Sequence, residues 1–295
     1  MRPGPAGGLA APDHGRGILL FCLALLLFSF LDASAKVLTQ SLPLAVVVWF
    51  RYTVHFLGAA AWMAPRPGRL VTRAPWLQAW RSFLLASSTA LNFLAVSHLP
   101  LTTTTAIMFL APLLVAALSV PMLGEQVGPR RWAAILVGFI GILVVVRPGQ
   151  GELHLAVIAS VGAVVCGSFY NIATRQVAAI DPPDTTAFYT ALFGTIFATP
   201  LLAFYWVTPE AWQWPLLIGL GFLGGIGHLL VIIAARYAPA PVVAPFGYTQ
   251  IVWMAALGYL VFGEVPDFYT VLGIGIVVAS GLYLLHRERV RRTAA

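Results

Sequence analysis

Few residues in this chain could do chemistry, and most of them stand inside long apolar runs. Asp32 and Lys36 are four residues apart with the acid first, the favourable order for an ion pair along a helix. Arg51 follows in the next apolar run. Counted at 1.5 Å rise per residue, Asp32 and Arg51 both fall about 10 Å from the same bilayer surface. Asp32, Lys36 and Arg51 therefore form a candidate intramembrane charge cluster. It is either a neutralised tie between two helices or an electrostatic contact for a charged or zwitterionic substrate. Arg81 lies one to two turns inside a third run, where a long side chain can snorkel to the headgroups.

A second group is polar without being charged. Asn92 and His228 sit at mid-depth of their runs, and Tyr248, Gln250 and Trp253 recur at helical spacing beyond Pro245. With His98 and Tyr170 they are the candidate substrate-binding residues, each also readable as helix packing. An ionisable group in hydrocarbon costs about 2.5 kcal/mol or more, so these groups are expected to face a bundle interior or water. Asn92, His228, Tyr248, Gln250 and Trp253 are expected to share one interior space.

The catalytic alternatives have little to stand on. There is no Gly-x-Ser-x-Gly, His-Glu-x-x-His, glycine-rich phosphate loop or paired Cys-x-x-Cys. Cys22 and Cys166 are the only two cysteines, and the six histidines show no metal-ligand spacing. No catalytic residue, metal site or cofactor is expected. A membrane-embedded enzyme acting on lipid is the one enzymatic class kept in view.

The elements that must position these residues follow from hydropathy. Of 295 residues, 60% are hydrophobic and only 9% charged, which excludes a water-soluble globule. Seventeen Lys and Arg against ten Asp and Glu give a net charge of +7, but the bases lie between apolar runs. The bilayer, not nucleic acid, is the expected partner. A hydrocarbon core about 30 Å thick needs about 20 apolar residues per helix. Runs of that kind fall at 17–39, 43–64, 76–96, 101–123, 131–147, 153–175, 185–206, 215–236, 240–262 and 268–286. Arg2, Arg16 and the run ending in Ala33-Ser34-Ala35 imitate a signal peptide, but cleavage there would leave nine spans and break the repeat described next. One set of alternate loops holds Arg66, Arg69, Arg73, Arg130, Arg131, Arg175 and Arg236, whereas the other has Arg147 with Glu152, Glu210, Glu264 and Asp267. The positive-inside rule then puts both termini in the cytoplasm.

The chain also repeats itself. Ala95–Val127 aligns without gaps on Ala234–Pro266, an offset of 139 residues. Pro100 meets Pro239, and Gly124-Glu125 meets Gly263-Glu264. The third and fourth spans thus correspond to the eighth and ninth. Five spans per half is an odd number, so the halves enter the membrane in opposite senses, the arrangement of many secondary transporters. The small-residue runs in the third and eighth spans, and the interrupted starts of the fourth and ninth, are the pointers to a pathway. Glu125 and Glu264 each follow a glycine suited to stopping a helix, and each carboxylate is expected to cap the next helix.

With Leu123-Gly124-Glu125 and Phe262-Gly263-Glu264 after the fourth helix of each half, the sequence resembles the drug/metabolite transporter superfamily of EamA type. Phe28-Ser29-Phe30-Leu31-Asp32-Ala33-Ser34-Ala35-Lys36 and Trp49-Phe50-Arg51-Tyr52 carry the same resemblance, as do Trp132, Gly138, Gly141 and Gly281-Leu282-Tyr283-Leu284-Leu285. It implies an all-α integral membrane fold of ten transmembrane helices in two inverted five-helix repeats. The expected division is an N-terminal cytoplasmic segment 1–16, repeats 17–150 and 151–286, and a basic cytoplasmic tail 287–295. The implied activity is alternating-access transport of small metabolites across a bacterial inner membrane, with amino-acid export ranked first. Uptake or exchange of nucleoside or cofactor-like molecules, such as a methyl donor, is the alternative. A monomer or weak dimer is expected, and proton coupling, uniport and metabolite antiport are all open.

Overall fold

The computed structural model describes residues 13–65, 70–123, 128–147 and 155–294, and every regular element among them is helical. We number the ten spans α1 (His14–Leu38), α2 (Leu44–Met63), α3 (Pro75–His98), α4 (Leu101–Met108 continuing as Ala111–Leu123) and α5 (Pro129–Val146). The second half supplies α6 (Leu155–Ala178), α7 (Pro183–Tyr205), α8 (Gln213–Tyr237), α9 (Ala240–Val243, Ala244–Thr249 and Gln250–Phe262) and α10 (Phe268–Ala294). Glu125 and Glu152 lie outside the described residues. Residues 287–294, read from the sequence as a tail, continue α10 as helix.

Local sequence sets the ends. Asp13 caps α1 by accepting a hydrogen bond from Arg16 N at 3.0 Å. Prolines open α3, α5 and α7, where the missing N–H costs nothing. Gly263 closes α9 at φ 68°, the left-handed conformation that a glycine adopts without strain. Among the described residues, seven helical stretches are long and apolar enough to cross a membrane, α4 among them as one stretch. The other three spans depart for visible reasons: α3 carries Gln78 and Arg81, the apolar part of α5 is short, and α9 is broken into three pieces.

Packing follows the inverted repeat. α1 lies along α8 as α3 lies along α6, and α2 packs on α8 as α7 packs on α3. α5 packs on α10, and α2 on α7, each span against its own repeat partner. Both interrupted spans break at corresponding places, α4 at Phe109–Leu110 and α9 at its 3-10 turn Ala244–Thr249. Phe109 and Tyr248, equivalent at the repeat offset, meet edge to face with ring centroids 4.9 Å apart. Large apolar side chains such as Leu136 at 62% and Leu260 at 77% exposure cover the outside, where lipid replaces water as the solvent.

Glycines set the closest approaches. A Cβ on Gly273 would stand 2.4 Å from Val145 Cγ2 and 2.6 Å from the Gly141 carbonyl oxygen, across the α5–α10 seam. A Cβ on Gly219 would meet nothing within 4 Å. Gly273→Ala is therefore expected to destabilise the protein by about 1–3 kcal/mol through overpacking, while Gly219→Ala leaves it unchanged. Thermal unfolding of the purified variants in detergent tests this, and equal melting temperatures would refute the seam.

Candidate functional site

Lys36 does not pair with Asp32. Its Nζ lies 2.5 Å from Glu264 Oε1 and donates to the Leu99 carbonyl oxygen at 2.6 Å. The other Glu264 oxygen accepts from Leu101 N at 2.9 Å. Glu264 thus caps α4, in the other half of the chain, rather than the helix that follows it. Gly258 leaves room for it, since a Cβ there would stand 3.1 Å from Glu264 Oε2. One carboxylate neutralises a lysine that is 6% exposed and satisfies a helix end, so α1, α4 and the α9–α10 turn are tied on the face opposite the arginine-rich loops.

Asp32 turns to α3, accepting from Asn92 Nδ2 at 3.0 Å, with the Arg51 charge acting on it. Arg51 is only 5% exposed, and its Nε and Nη1 donate to no acceptor. Its guanidinium lies 4.5 Å from the centroid of Tyr52, which offers a π face but no in-plane acceptor. A Cβ on Gly224 would reach Arg51 Cζ at 3.6 Å, so the small residues of α8 make space for this side chain. Tyr52 is fully buried, its hydroxyl 3.0 Å from Thr89 Oγ1, and its ring fills the notch at Gly194.

Arg81 does not snorkel. It is 2% exposed and turned inward, with Nη2 donating to the Thr186 carbonyl oxygen at 3.1 Å and to Thr190 Oγ1. Its guanidinium lies 5.0 Å from the Tyr170 centroid. Through the Arg51–Tyr52, Tyr52–Thr89 and Arg81–Tyr170 contacts, these groups form one neighbourhood between α2, α3, α6 and α7.

His228 belongs to the edge of that neighbourhood. Its ring lies 5.1 Å from Phe28 and is stacked on His55 at 6.3 Å. The two imidazoles line a cavity of about 320 Å³ between α2, α7 and α8, otherwise mostly apolar, with Trp62, Phe188 and Ile226 on its walls. Other candidates lie elsewhere. Tyr248 is wedged between Phe109 and Gly281, its hydroxyl buried without a partner. Trp253 is 37% exposed, Gln250 is half-buried at the start of the last α9 segment, and His98 is exposed at the end of α3 beside Ser97. The expected group is gathered only in part: Asn92, through Asp32, and His228 lie toward Arg51, whereas Tyr248 is packed apart from them against Phe109 and Gly281. Sequence reasoning passed over His55, whose position carries no signal beyond a polar type within a span, while Thr89 belongs to the small polar run of the third span.

The opposite face is tied as well. Asp181, in the α6–α7 connection, accepts from Arg73 N at 3.0 Å, Gln78 Nε2 at 2.9 Å and Thr72 Oγ1. Burial pushes this carboxyl up, but the three hydrogen bonds and the Arg73 charge outweigh it and hold it below the usual carboxylate range.

The family model described as the EamA-like transporter family matches residues 15–147 and again residues 154–285. The chain belongs to this family. The two matches begin at the same offset as the internal repeat, and an EamA-like transporter of ten spans in two inverted repeats is what the packing shows. The S-adenosylmethionine uptake transporter of Rickettsia prowazekii is 26% identical over 283 residues, covering 95% of this chain and 96% of that protein. The pseudopaline exporter CntI of Pseudomonas aeruginosa is 28% identical over 276 residues, covering 92% and 96%. The riboflavin transporter of Vibrio cholerae is 32% identical over 184 residues, 62% of each chain. A solved structure described as the crystal structure of a protein has the same fold, with a TM-score of 0.66 at 20% identity over 95% of this chain and 99% of that one. This EamA-like chain is accordingly a multi-pass membrane transporter of small metabolites, not an enzyme.

Two outcomes follow for this EamA-like bundle. Breaking the buried pair by Lys36→Met or Glu264→Gln alone is expected to cost about 3–5 kcal/mol, because either leaves an uncompensated charge. The double variant should recover a large part of the loss; melting temperatures that add would show that the two groups do not interact. The depressed Asp181 carboxyl stabilises the fold at pH values above its unfolded pKa of about 3.9, and this contribution disappears as pH falls through the lower folded value. Asp181→Ala should thus lower the melting temperature at pH 7, with the gap to the parent closing below about pH 4. A gap independent of pH would contradict the assignment.

Proposed function

We propose that this chain carries metabolites built on an α-amino-acid group, free amino acids or a larger molecule containing one, by alternating access of its two halves. The observation that carries the reading is Arg51: a buried guanidinium whose Nε and Nη1 have no acceptor, beside an Asp32 that is held by Asn92 alone. Arg51 suits a substrate carboxylate, whose two oxygens match the guanidinium fork. Asp32, with acceptor capacity left after Asn92, suits the ammonium group. Tyr52 offers a flat surface beside Arg51. The cavity next to His55 and His228 is large enough to take part of a side chain or a ring.

A cofactor-like substrate is the second reading, and a specific observation favours it. S-adenosylmethionine, named for the Rickettsia relative, combines an amino-acid group with a nucleoside, so it fits the same headgroup site. The loop charges support both termini on the cytoplasmic side of a bacterial inner membrane, although export and uptake fit this orientation equally.

Purified protein in liposomes should take up labelled L-glutamine or S-adenosylmethionine saturably, and Arg51→Gln should cut that uptake at least about tenfold, one charged hydrogen-bonded contact. Uptake of riboflavin alone, unaffected by Arg51→Gln, would overturn the headgroup reading. In a cysteine-free background, Glu210→Cys should react with an impermeant thiol reagent added outside cells, and Gly128→Cys should not. The reverse pattern would invert the topology.

A further inference from the structure

A second guanidinium inside the bundle has unfilled donors. Arg81 spends Nη2 on Thr186 and Thr190, yet Nε and Nη1 are buried with no acceptor. Its anchors are a carbonyl and a hydroxyl, and the other titratable groups acting on it are the Tyr170 and Tyr52 phenols, not a carboxylate. The Tyr170 ring centroid lies 5.0 Å from the Arg81 guanidinium, and an aromatic face supplies no hydrogen-bond acceptor to Nε or Nη1 comparable to a carboxylate. Lys36 is paired with Glu264, whereas the Arg81 Nε and Nη1 donors stay unfilled in a low-dielectric interior.

We propose that Arg81 is a second anion subsite of the transport site, and that the preferred substrate carries an additional carboxylate at its far end. The proposal rests on the headgroup reading of Arg51 and Asp32 and extends it. A chain of contacts links the two arginines. Arg51 lies over Tyr52, the Tyr52 hydroxyl docks on Thr89, and Arg81 is two turns of α3 away from Thr89, about 12 Å of axial rise. The Tyr52 ring lies against Arg51 and the Tyr170 ring against Arg81. A molecule with acids at both ends fits; a short neutral amino acid fills only the first subsite. The class of substrate is an extended aminodicarboxylate, whose far carboxylate supplies acceptors to the unfilled Arg81 donors.

The test uses α,ω-dicarboxylates from glutarate to sebacate against monocarboxylates of equal length, read as thermal stabilisation of the purified full-length protein. In the parent protein one dicarboxylate length is expected to reach a given shift at a concentration at least about tenfold below its monocarboxylate. Arg81→Gln should erase that preference. Arg81→Lys, which keeps the charge and the fold but loses the planar fork, should reduce it severalfold and serves as the readout if Arg81→Gln does not fold. Equal potency of mono- and dicarboxylates in the parent, a preference intact in both variants, or an equal shift with inorganic phosphate would overturn the subsite. Loss of amino-acid uptake with the dicarboxylate preference intact would sink the headgroup reading and leave this subsite standing.

Discussion

An ion inside hydrocarbon must have a partner, and the structure depends on how that demand is met at each position. Lys36 meets it with one carboxylate oxygen and one carbonyl oxygen within hydrogen-bond reach of its ammonium group. Glu264 meets it too, dividing its oxygens between Lys36 and the start of α4. Arg51 and Arg81 do not, although both are as deeply buried. On the proposed reading, the contrast separates fastening from binding: groups that hold helices together find acceptors in the protein, whereas those proposed to take a ligand keep donors free at an energetic cost.

The same bundle must hold firmly and still move. Ties on opposite faces join the halves, Lys36 to Glu264 on one and Asp181 to Thr72, Arg73 and Gln78 on the other. Between them the arginines sit at different depths, flanked by tyrosines and by glycine notches that let α7 and α8 approach α2 closely. The breaks in α4 and α9 fall at equivalent places and meet through Phe109 and Tyr248. Backbone irregularity at these points marks the residues about which the proposed alternating access would bend the halves.

Much of the fold was legible because depth is written in the sequence. Prolines, glycines and charges mark where helices begin and end, and the register of Gly263-Glu264 on Gly124-Glu125 exposed the repeat before any packing was known. The direction in which a side chain leaves its helix was not legible. Arg81 reads as a snorkelling residue by depth, yet its partners Tyr170, Thr186 and Thr190 come from the other half and turn it inward. Lys36 and Asp32 share spacing but not a partner, since Glu264 arrives from 228 residues away. Trp253, counted by spacing as an inward residue, is 37% exposed. Rotation about the helix axis is set by packing, and the glycines opposite Tyr52, Arg51 and Phe28 were the one sequence trace of it.

Counterflow tests the central claim, that a single buried site is exposed alternately to the two sides, most directly. Liposomes containing the protein are loaded with unlabelled S-adenosylmethionine or L-glutamine and diluted into a trace of the same labelled compound. The account predicts transient accumulation of label above its equilibrium level, because outward movement of bound substrate returns the site to accept label from outside. Label that rises monotonically to equilibrium at the same rate in loaded and empty liposomes would indicate a pore and contradict it.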